Sequence, residues 1–235
     1  MNKKEDNFIE ESLISDTHLT LRRNLGIIGI ALAPLLICLN HFQILPSISH
    51  YYYSESNVLF IGLLFAYGLY LFSYRGYKKD KTKLDFINDN WVTNFAGILI
   101  IIVAFIPTKA DLQLINTYHL FNPPRGHNNN ILNTIHLICA TGFFLIMAYL
   151  SYFRFTRTDN LHESEKERIT KKKRNRMYRI CAIMVLISLL FILVFEFMIT
   201  PPFSQCIVLI GEAVALFFFG LAWLVKSKSL AIIKL

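Results

Sequence analysis

Long apolar blocks alternate with short polar or basic segments along almost the whole chain. Each block is close to the roughly 20 residues that an α-helix needs to cross the hydrocarbon core of a bilayer. The pattern therefore predicts an all-α, polytopic membrane protein that folds as a bundle of six transmembrane helices. The predicted spans are 25–45, 57–74, 91–107, 131–153, 178–200 and 203–225.

These spans leave no room for a separate soluble domain. We expect a cytoplasmic N-terminal arm at 1–24, a membrane domain over 25–226 and a cytoplasmic tail at 227–235. The first apolar block is too long for the core of a cleavable signal, and it lacks a small-residue cleavage site. It is therefore predicted to remain as the first transmembrane helix.

The positive charge is distributed unevenly between the connections. The chain has 24 Lys and Arg residues and a formal net charge of +8, yet only Lys109 and Arg125 fall in the first, third and fifth connections. This is the positive-inside pattern, which predicts that both termini are cytoplasmic. We expect a multi-pass protein of the inner (plasma) membrane. Its partners should be membrane lipids and not nucleic acid, and the sequence leaves a homo-oligomer open.

The most basic connection joins the fourth and fifth spans. Clustered Lys and Arg residues next to a membrane attract anionic headgroups, although the same cluster also serves as a topology signal without any ligand. The candidate residues for anionic lipid are Lys171, Lys172, Lys173, Arg174 and Arg176.

Glu212 interrupts an apolar run that extends from Cys206 to Val225. In a spanning helix it would lie roughly 13 Å from the nearer end, at about 1.5 Å per residue. A carboxylate at that depth costs at least roughly 2.5 kcal/mol, so it should face protein or water. Other polar residues come from the predicted outer side, which indicates an outward-facing polar cavity. Its candidate binding residues are Ser47, Ser49, Tyr51, Tyr52, His136, Glu196 and Glu212.

Three functions are compatible with such a cavity. It could bind or sense a lipid or amphiphile, or conduct ions or protons through its carboxylates. It could also form a metal-dependent lipid hydrolase, because imidazole and carboxylate are zinc ligands, with His50, His136 and Glu212 as candidates. No ligand pair has the spacing of a zinc motif, so we assign no metal and no cofactor. We expect binding or sensing, and no enzyme activity.

Two further patterns concern packing. Small residues at four-residue spacing, Gly62 with Ala66 and Gly211 with Ala215, predict close contacts between helices. Trp91 and Trp223 fall at the predicted cytoplasmic boundary, where tryptophan commonly anchors a helix in the interface.

The stretch from Ser47 to Tyr77, SISHYYYSESNVLFIGLLFAYGLYLFSYRGY, resembles a group of uncharacterised bacterial six-span membrane proteins. In that group a Ser-Ile-Ser-x-Tyr-Tyr loop precedes a span that ends in Tyr-x-Gly. The layout is more distantly similar to the DRAM (damage-regulated autophagy modulator) superfamily. The resemblance implies a six-helix bundle in a bacterial inner membrane and a role in lipid handling, and it implies no catalytic residues. It draws attention to Ser47, Ser49, Tyr51, Tyr52, His136 and Glu212.

Overall fold

The computed structural model describes residues 3–74, 89–110, 112–121, 129–157, 165–198 and 206–229, and within these ranges every regular element is helical. Seven α-helices follow in chain order, together with a 3₁₀ helix after α1 and a π-helical turn after α5. The elements are α1 (Lys3–Leu39), the 3₁₀ helix (Ile48–Tyr53), α2 (Asn57–Ser73), α3 (Asp89–Phe105), α4 (Leu112–Tyr118), α5 (Asn130–Tyr149), the π-helical turn (Leu150–Arg154), α6 (Glu165–Met198) and α7 (Ile207–Lys226).

Four helical stretches of the described chain are long and apolar enough to cross a membrane: Asp16–Leu39, Asn130–Arg154, Arg168–Phe195 and Ile207–Lys226. Helices α2 and α3 are also apolar but have only 17 residues each. Such a helix is about 25 Å long, somewhat less than the roughly 30 Å hydrocarbon core. The prediction of an all-helical membrane protein is confirmed. The count of six spans and the side of the termini stay predictions.

The six longer helices form a closed ring. Each helix packs against the next in the order α1, α2, α3, α5, α6 and α7, and α7 returns to α1. Three aromatic side chains fill the middle of this ring: Tyr67 from α2, Phe143 from α5 and Phe219 from α7. Their ring centroids lie 5.6 to 6.0 Å apart, and all three are buried. The centre of the bundle is therefore packed side chains.

The contact between α1 and α7 depends on glycine. A Cβ atom at Gly220 would lie 2.6 Å from the carbonyl oxygen of Gly26 and 2.9 Å from the backbone nitrogen of Ile30. Neither neighbour is a flexible side chain that could move away. The two helices can approach this closely only because residue 220 has no side chain, as is common where membrane helices meet.

The predicted small-residue contacts are half correct. Gly211 packs against α6, where an added Cβ would lie 2.4 Å from Cγ1 of Ile192. Gly62 makes no such contact, because no described atom lies within 4 Å of the position of its Cβ. Helix α2 instead meets α3 through Gly68 and Gly97, where a Cβ on either residue would lie 3.0 Å from the carbonyl oxygen of the other.

The two ends of the ring differ in chemistry. The 3₁₀ end carries the 3₁₀ helix and the polar residues around it, and the basic end carries Arg22, Arg154 and Lys226. Trp223 lies near the basic end but is fully buried between Tyr74 and Phe155, with ring centroids 4.9 and 4.8 Å away. The prediction that Trp223 is an interfacial anchor is wrong, because its indole belongs to the protein interior.

Candidate functional site: a cavity at the 3₁₀ end

The chain between α1 and α2 folds over the end of the ring. Pro46 cannot donate a backbone hydrogen bond, but its carbonyl accepts one from the N–H of Leu209, 3.0 Å away near the start of α7. The Tyr51 hydroxyl donates to the carbonyl of Gln43 at 2.9 Å. These contacts fix the 3₁₀ helix against α7 and against the preceding turn.

Glu212 caps the 3₁₀ helix from another part of the chain. Its Oε2 accepts a hydrogen bond of 2.6 Å from the backbone N–H of Ile48, the first residue of the 3₁₀ helix. The first N–H groups of a helix have no partner within the helix, and the positive end of the helix dipole favours a nearby anion. Glu212 therefore faces protein, and its half-buried carboxylate joins α7 to the 3₁₀ helix.

His136 joins three segments at the same end. Its Nδ1 lies 2.5 Å from the carbonyl oxygen of Ile106, and its Nε2 lies 2.9 Å from Oγ of Ser49. A carbonyl only accepts, so Nδ1 carries the proton, and in the neutral ring Nε2 then accepts from the Ser49 hydroxyl. The buried imidazole thus ties α5 to the 3₁₀ helix and to the residue after α3.

These groups line a cavity of about 500 Å³, which we call the chamber. Its polar wall contains Ser47, Ser49, His50, Asn133, His136 and Glu212. A second, narrow cavity of about 40 Å³ borders the chamber and shares Ser49, Ala140 and Glu212 with the chamber wall. The other residues in the wall of this second cavity are hydrophobic and include Leu32, Phe60 and Phe143.

The structure places the other predicted site residues elsewhere. Tyr51 is fully buried, and burial raises the pKa of its phenol, which stays a neutral donor to the Gln43 carbonyl. The Tyr52 ring packs edge-on against Tyr53 and Phe60, at 5.2 and 6.4 Å between centroids. Both tyrosines therefore support the 3₁₀ helix from outside the chamber wall. The Glu196 side chain lies outside the described residues.

Thr108, Lys109 and Asn133 also line the chamber, and none of them was predicted from the sequence. Oδ1 of Asn133 accepts from the Thr108 hydroxyl at 2.9 Å and from the Lys109 N–H at 2.8 Å. The signal for Asn133 was its place three residues before His136, since such residues share one face of a helix. Thr108 and Lys109 follow α3 in a loop, for which no periodicity exists.

The described residues do not assemble the zinc ligands considered above. Nδ1 of His50 pairs with the Ser47 hydroxyl at 2.7 Å, and both ring nitrogens of His136 have partners. Within the described ranges, no three His, Cys, Asp or Glu side chains lie close enough together to hold a metal ion. The geometry of the chamber is that of a hydrogen-bonding cavity.

The predicted anionic-lipid residues all lie on α6. Lys172, Lys173 and Arg176 are exposed, whereas Lys171 and Arg174 are half-buried. They form a basic stretch of one helix, away from the chamber.

A protein-family model matches the chain. The family model described as serpentine type 7TM GPCR chemoreceptor Srv matches residues 71–216, more than half of the chain. No curated protein and no solved structure matches at a significant level.

This match contradicts the resemblance to the bacterial six-span group and to the DRAM superfamily. The bacterial assignment, which depended on that resemblance, is therefore wrong as well. The resemblance depended on short motifs and on a helix count. Aromatic and small residues recur in membrane helices of many families, so short motifs built from them discriminate poorly.

Proposed function

The chain belongs to the serpentine type 7TM GPCR chemoreceptor Srv family, and from this membership we propose that it senses a small amphiphile bound in the chamber. It is a multi-pass membrane protein of a receptor family. Membership favours sensing over the hydrolase and conduit alternatives. The packed layer of Tyr67, Phe143 and Phe219 in the middle of the ring also fits a closed binding site better than a conduit.

The observation that carries this proposal is the position of Glu212 and Ser49 in both cavity walls. A volume of about 500 Å³ is within the range of small-molecule sites, which combine apolar walls with a few polar groups. A polar head held at Glu212 would place an adjoining apolar tip among Leu32, Phe60 and Phe143. This combination suits a molecule with one polar and one apolar end.

The headgroup that complements Glu212 is an ammonium group. The carboxylate has two oxygens and about four acceptor positions, and Oε2 receives the N–H of Ile48. A charge-assisted bond from a ligand ammonium is about twice as strong as a neutral one. Lys109 also lines the chamber, but it is exposed and its Nζ donates to Oδ1 of Asn130 at 3.4 Å. Water therefore screens its charge.

The chamber wall also supports entry from the membrane. Leu137 of α5 lines the chamber although its surface is 52% exposed. Ile192 of α6 and Val208 of α7 line the same side and are half-buried. These three apolar side chains lie between the chamber and the outer surface of the bundle. An amphiphile dissolved in the membrane would contact them first on its way into the chamber.

The charge distribution supports an orientation for this site. We propose that the 3₁₀ end faces outside and the basic end faces the cytoplasm, because all but two of the 24 Lys and Arg residues fall in or beside the N-terminal arm, the tail and the second and fourth connections. An outside chamber suits a receptor for molecules from the surroundings.

Binding of three unbranched ten-carbon probes tests the proposal. Decylammonium, decanol and decanoate would be titrated, below their micellar concentrations, into purified protein in nanodiscs, and thermal unfolding would be followed. Ligand that binds the native state raises the unfolding temperature. We expect the largest rise with decylammonium and a loss of most of it in Glu212→Gln.

Glu55→Gln is the matched control, because Glu55 is an exposed carboxylate near the same end of the ring. This variant should keep the response to decylammonium. Equal stabilisation by all three probes, or an undiminished response in Glu212→Gln, would reject the ammonium site.

A further inference from the structure

Ser49 and His136 form a hydrogen-bonded pair in the wall of the chamber. Oγ of Ser49 lies 2.9 Å from Nε2 of His136, and both residues line the cavity of about 500 Å³. Ser49 belongs to the 3₁₀ helix and His136 to α5, 87 residues further along the chain. The pair is therefore assembled by the fold, and no local sequence motif encodes it.

The tautomer of His136 leaves Nε2 ready to accept a proton. Nδ1 donates to the carbonyl oxygen of Ile106 at 2.5 Å, so the unprotonated nitrogen faces the Ser49 hydroxyl. A hydroxyl bonded to a histidine that a third group orients is the arrangement of a nucleophile and its general base. The Ile106 carbonyl takes the place of the orienting carboxylate. A carbonyl carries no full charge and stabilises an imidazolium less, so we expect a slow reaction.

The two cavities beside Ser49 suit the two parts of an ester. Ser49 lies in the wall of the polar chamber and also in the wall of the second cavity, which includes Leu32, Phe60 and Phe143. An ester carbonyl at Ser49 therefore has apolar side chains on one side for its acyl group. On the other side it has the larger chamber for its alcohol group.

Asn133 supplies an amide in the same wall. Its Oδ1 accepts hydrogen bonds from the Thr108 hydroxyl and from the Lys109 N–H, so the donor hydrogens of the amide are on Nδ2. Asn133 precedes His136 by three residues and shares its face of α5. Amide donors stabilise the negative oxygen that forms when a nucleophile adds to a carbonyl group. The chamber wall thus contains a nucleophile, a base and a donor of this kind.

We propose that Ser49 is a nucleophile, that His136 is its general base, and that the chamber hydrolyses uncharged carboxylic esters with an apolar acyl group. Oγ of Ser49 bonds to the ester carbonyl carbon while its proton passes to Nε2 of His136. The bond from that carbon to the alcohol oxygen then breaks, and Nε2 returns the proton to the leaving alcohol.

Water completes the reaction on the acylated Ser49. A water oxygen bonds to the acyl carbon and gives a proton to Nε2 of His136. The bond from the acyl carbon to Oγ breaks, the carboxylic acid leaves, and Nε2 returns the proton to Ser49. The sum is ester plus water to acid plus alcohol, without any redox change. Unlike the zinc hydrolase considered from the sequence, this mechanism uses only side chains of the chamber wall.

Covalent labelling is the direct test. Full-length protein in nanodiscs would be incubated with an uncharged alkyl fluorophosphonate, which transfers its phosphonyl group to an activated serine with loss of fluoride. We expect an adduct that peptide mass spectrometry assigns to Ser49. Hydrolysis of p-nitrophenyl butyrate, followed by the absorbance of the released p-nitrophenolate, would measure the activity itself.

Two substitutions separate catalysis from packing. Ser49→Ala removes the nucleophile, whereas His136→Gln keeps an amide oxygen that can accept from Ser49 but provides no base. Each should lower kcat/KM for the butyrate ester by about 100-fold or more, a typical contribution of general acid–base catalysis. Ser54→Ala is the matched control, because Ser54 is a buried serine outside the chamber wall whose hydroxyl donates to the Tyr51 carbonyl. It should keep both the labelling and the rate.

The adduct in the parent protein decides the question even if a variant does not fold. The proposal is overturned if the parent shows neither an adduct nor hydrolysis above that of empty nanodiscs. It is also overturned if the adduct forms on a residue other than Ser49, or if Ser49→Ala hydrolyses the ester as fast as Ser54→Ala does. Neither probe carries an ammonium group for Glu212, so a failure here and a failure of the decylammonium titration are separate results.

Discussion

Arg154 and Asp89 form an ion pair inside the protein, in which Nε of Arg154 donates to Oδ1 of Asp89. Their side chains are only 3% and 2% exposed. Asp89 is the first residue of α3, and Arg154 is the last residue of the π-helical turn. The pair therefore fastens the start of α3 to the end of α5, and removing either charge would leave the other buried without this ion-pair contact.

Replacing Arg154 with leucine should be strongly destabilising. Removing one member of a buried pair leaves an uncompensated charge, which typically costs about 3–5 kcal/mol. Unfolding in detergent should show this loss for Arg154→Leu and a partial recovery in the Asp89→Leu, Arg154→Leu double variant. Lys172→Leu, at an exposed position on α6, is the control and should change little. Equal stability of Arg154→Leu and Lys172→Leu would contradict a structural role for the pair.

The ion pair shows where sequence reasoning ends. The sequence places Arg154 among the cationic residues of a connection, because charge next to an apolar block usually marks a membrane boundary. A charge pattern cannot distinguish a solvated cation from a buried one, and the partner of Arg154 is 65 residues away. Trp223 was assigned to the interface for the same reason, although it lies in the core.

Gly220→Ala should destabilise the contact between α1 and α7. The added methyl group would lie 2.6 Å from the Gly26 carbonyl oxygen, and backbone must move to relieve the clash. Overpacking of this kind costs about 1–3 kcal/mol. The measurement is the free energy of unfolding in detergent or bicelles.

Gly62→Ala is the matched control, because the space around Gly62 is open among the described residues. Alanine is also the better helix former, by about 1 kcal/mol in soluble helices, so this variant should be neutral or more stable. If Gly220→Ala and Gly62→Ala change the free energy of unfolding equally, the contact between α1 and α7 does not depend on the absence of a side chain at residue 220.

The membrane fold was predictable, and the partners of individual residues were only partly so. Apolar block length identifies helices because one physical quantity, the thickness of the bilayer, sets it. The depth of Glu212 in its block likewise indicated that it faces protein or water and not lipid. Its hydrogen bond to the N–H of Ile48 was not specified, because the position of a residue in a helix does not reveal which backbone group approaches it.

His136→Phe should destabilise the 3₁₀ end. The phenyl ring is similar in size to the imidazole that it replaces. However, the Ile106 carbonyl loses its donor and the Ser49 hydroxyl loses its acceptor. Leaving buried polar groups unpaired costs about 1–3 kcal/mol each. Thermal unfolding and hydrogen exchange of the 3₁₀ helix would report the change. His41→Phe is the control, since the His41 side chain is 83% exposed, and equal effects of the two changes would contradict the tether.

Tyr53→Phe should lower the free energy of unfolding at neutral pH. It should also make the fall in that free energy at alkaline pH less steep than in the parent. The Tyr53 hydroxyl donates a buried hydrogen bond of 2.6 Å to the Thr108 carbonyl, worth about 1 kcal/mol. Burial, and secondarily Tyr52, raises the pKa of Tyr53 above its ordinary value of 10.0. The folded state therefore holds this proton more tightly than the unfolded state does. Its contribution is fully present below about pH 10 and is lost as the pH rises toward the folded-state pKa.

The free energy of unfolding, measured from neutral pH upward, should fall above about pH 10 less steeply in Tyr53→Phe than in the parent. A residual slope should remain, because burial also raises the pKa of Tyr51. Tyrosinate absorbance should show one late-titrating group fewer in the variant. An alkaline slope that is identical in parent and Tyr53→Phe would show that the Tyr53 proton does not contribute to the stability of the 3₁₀ end.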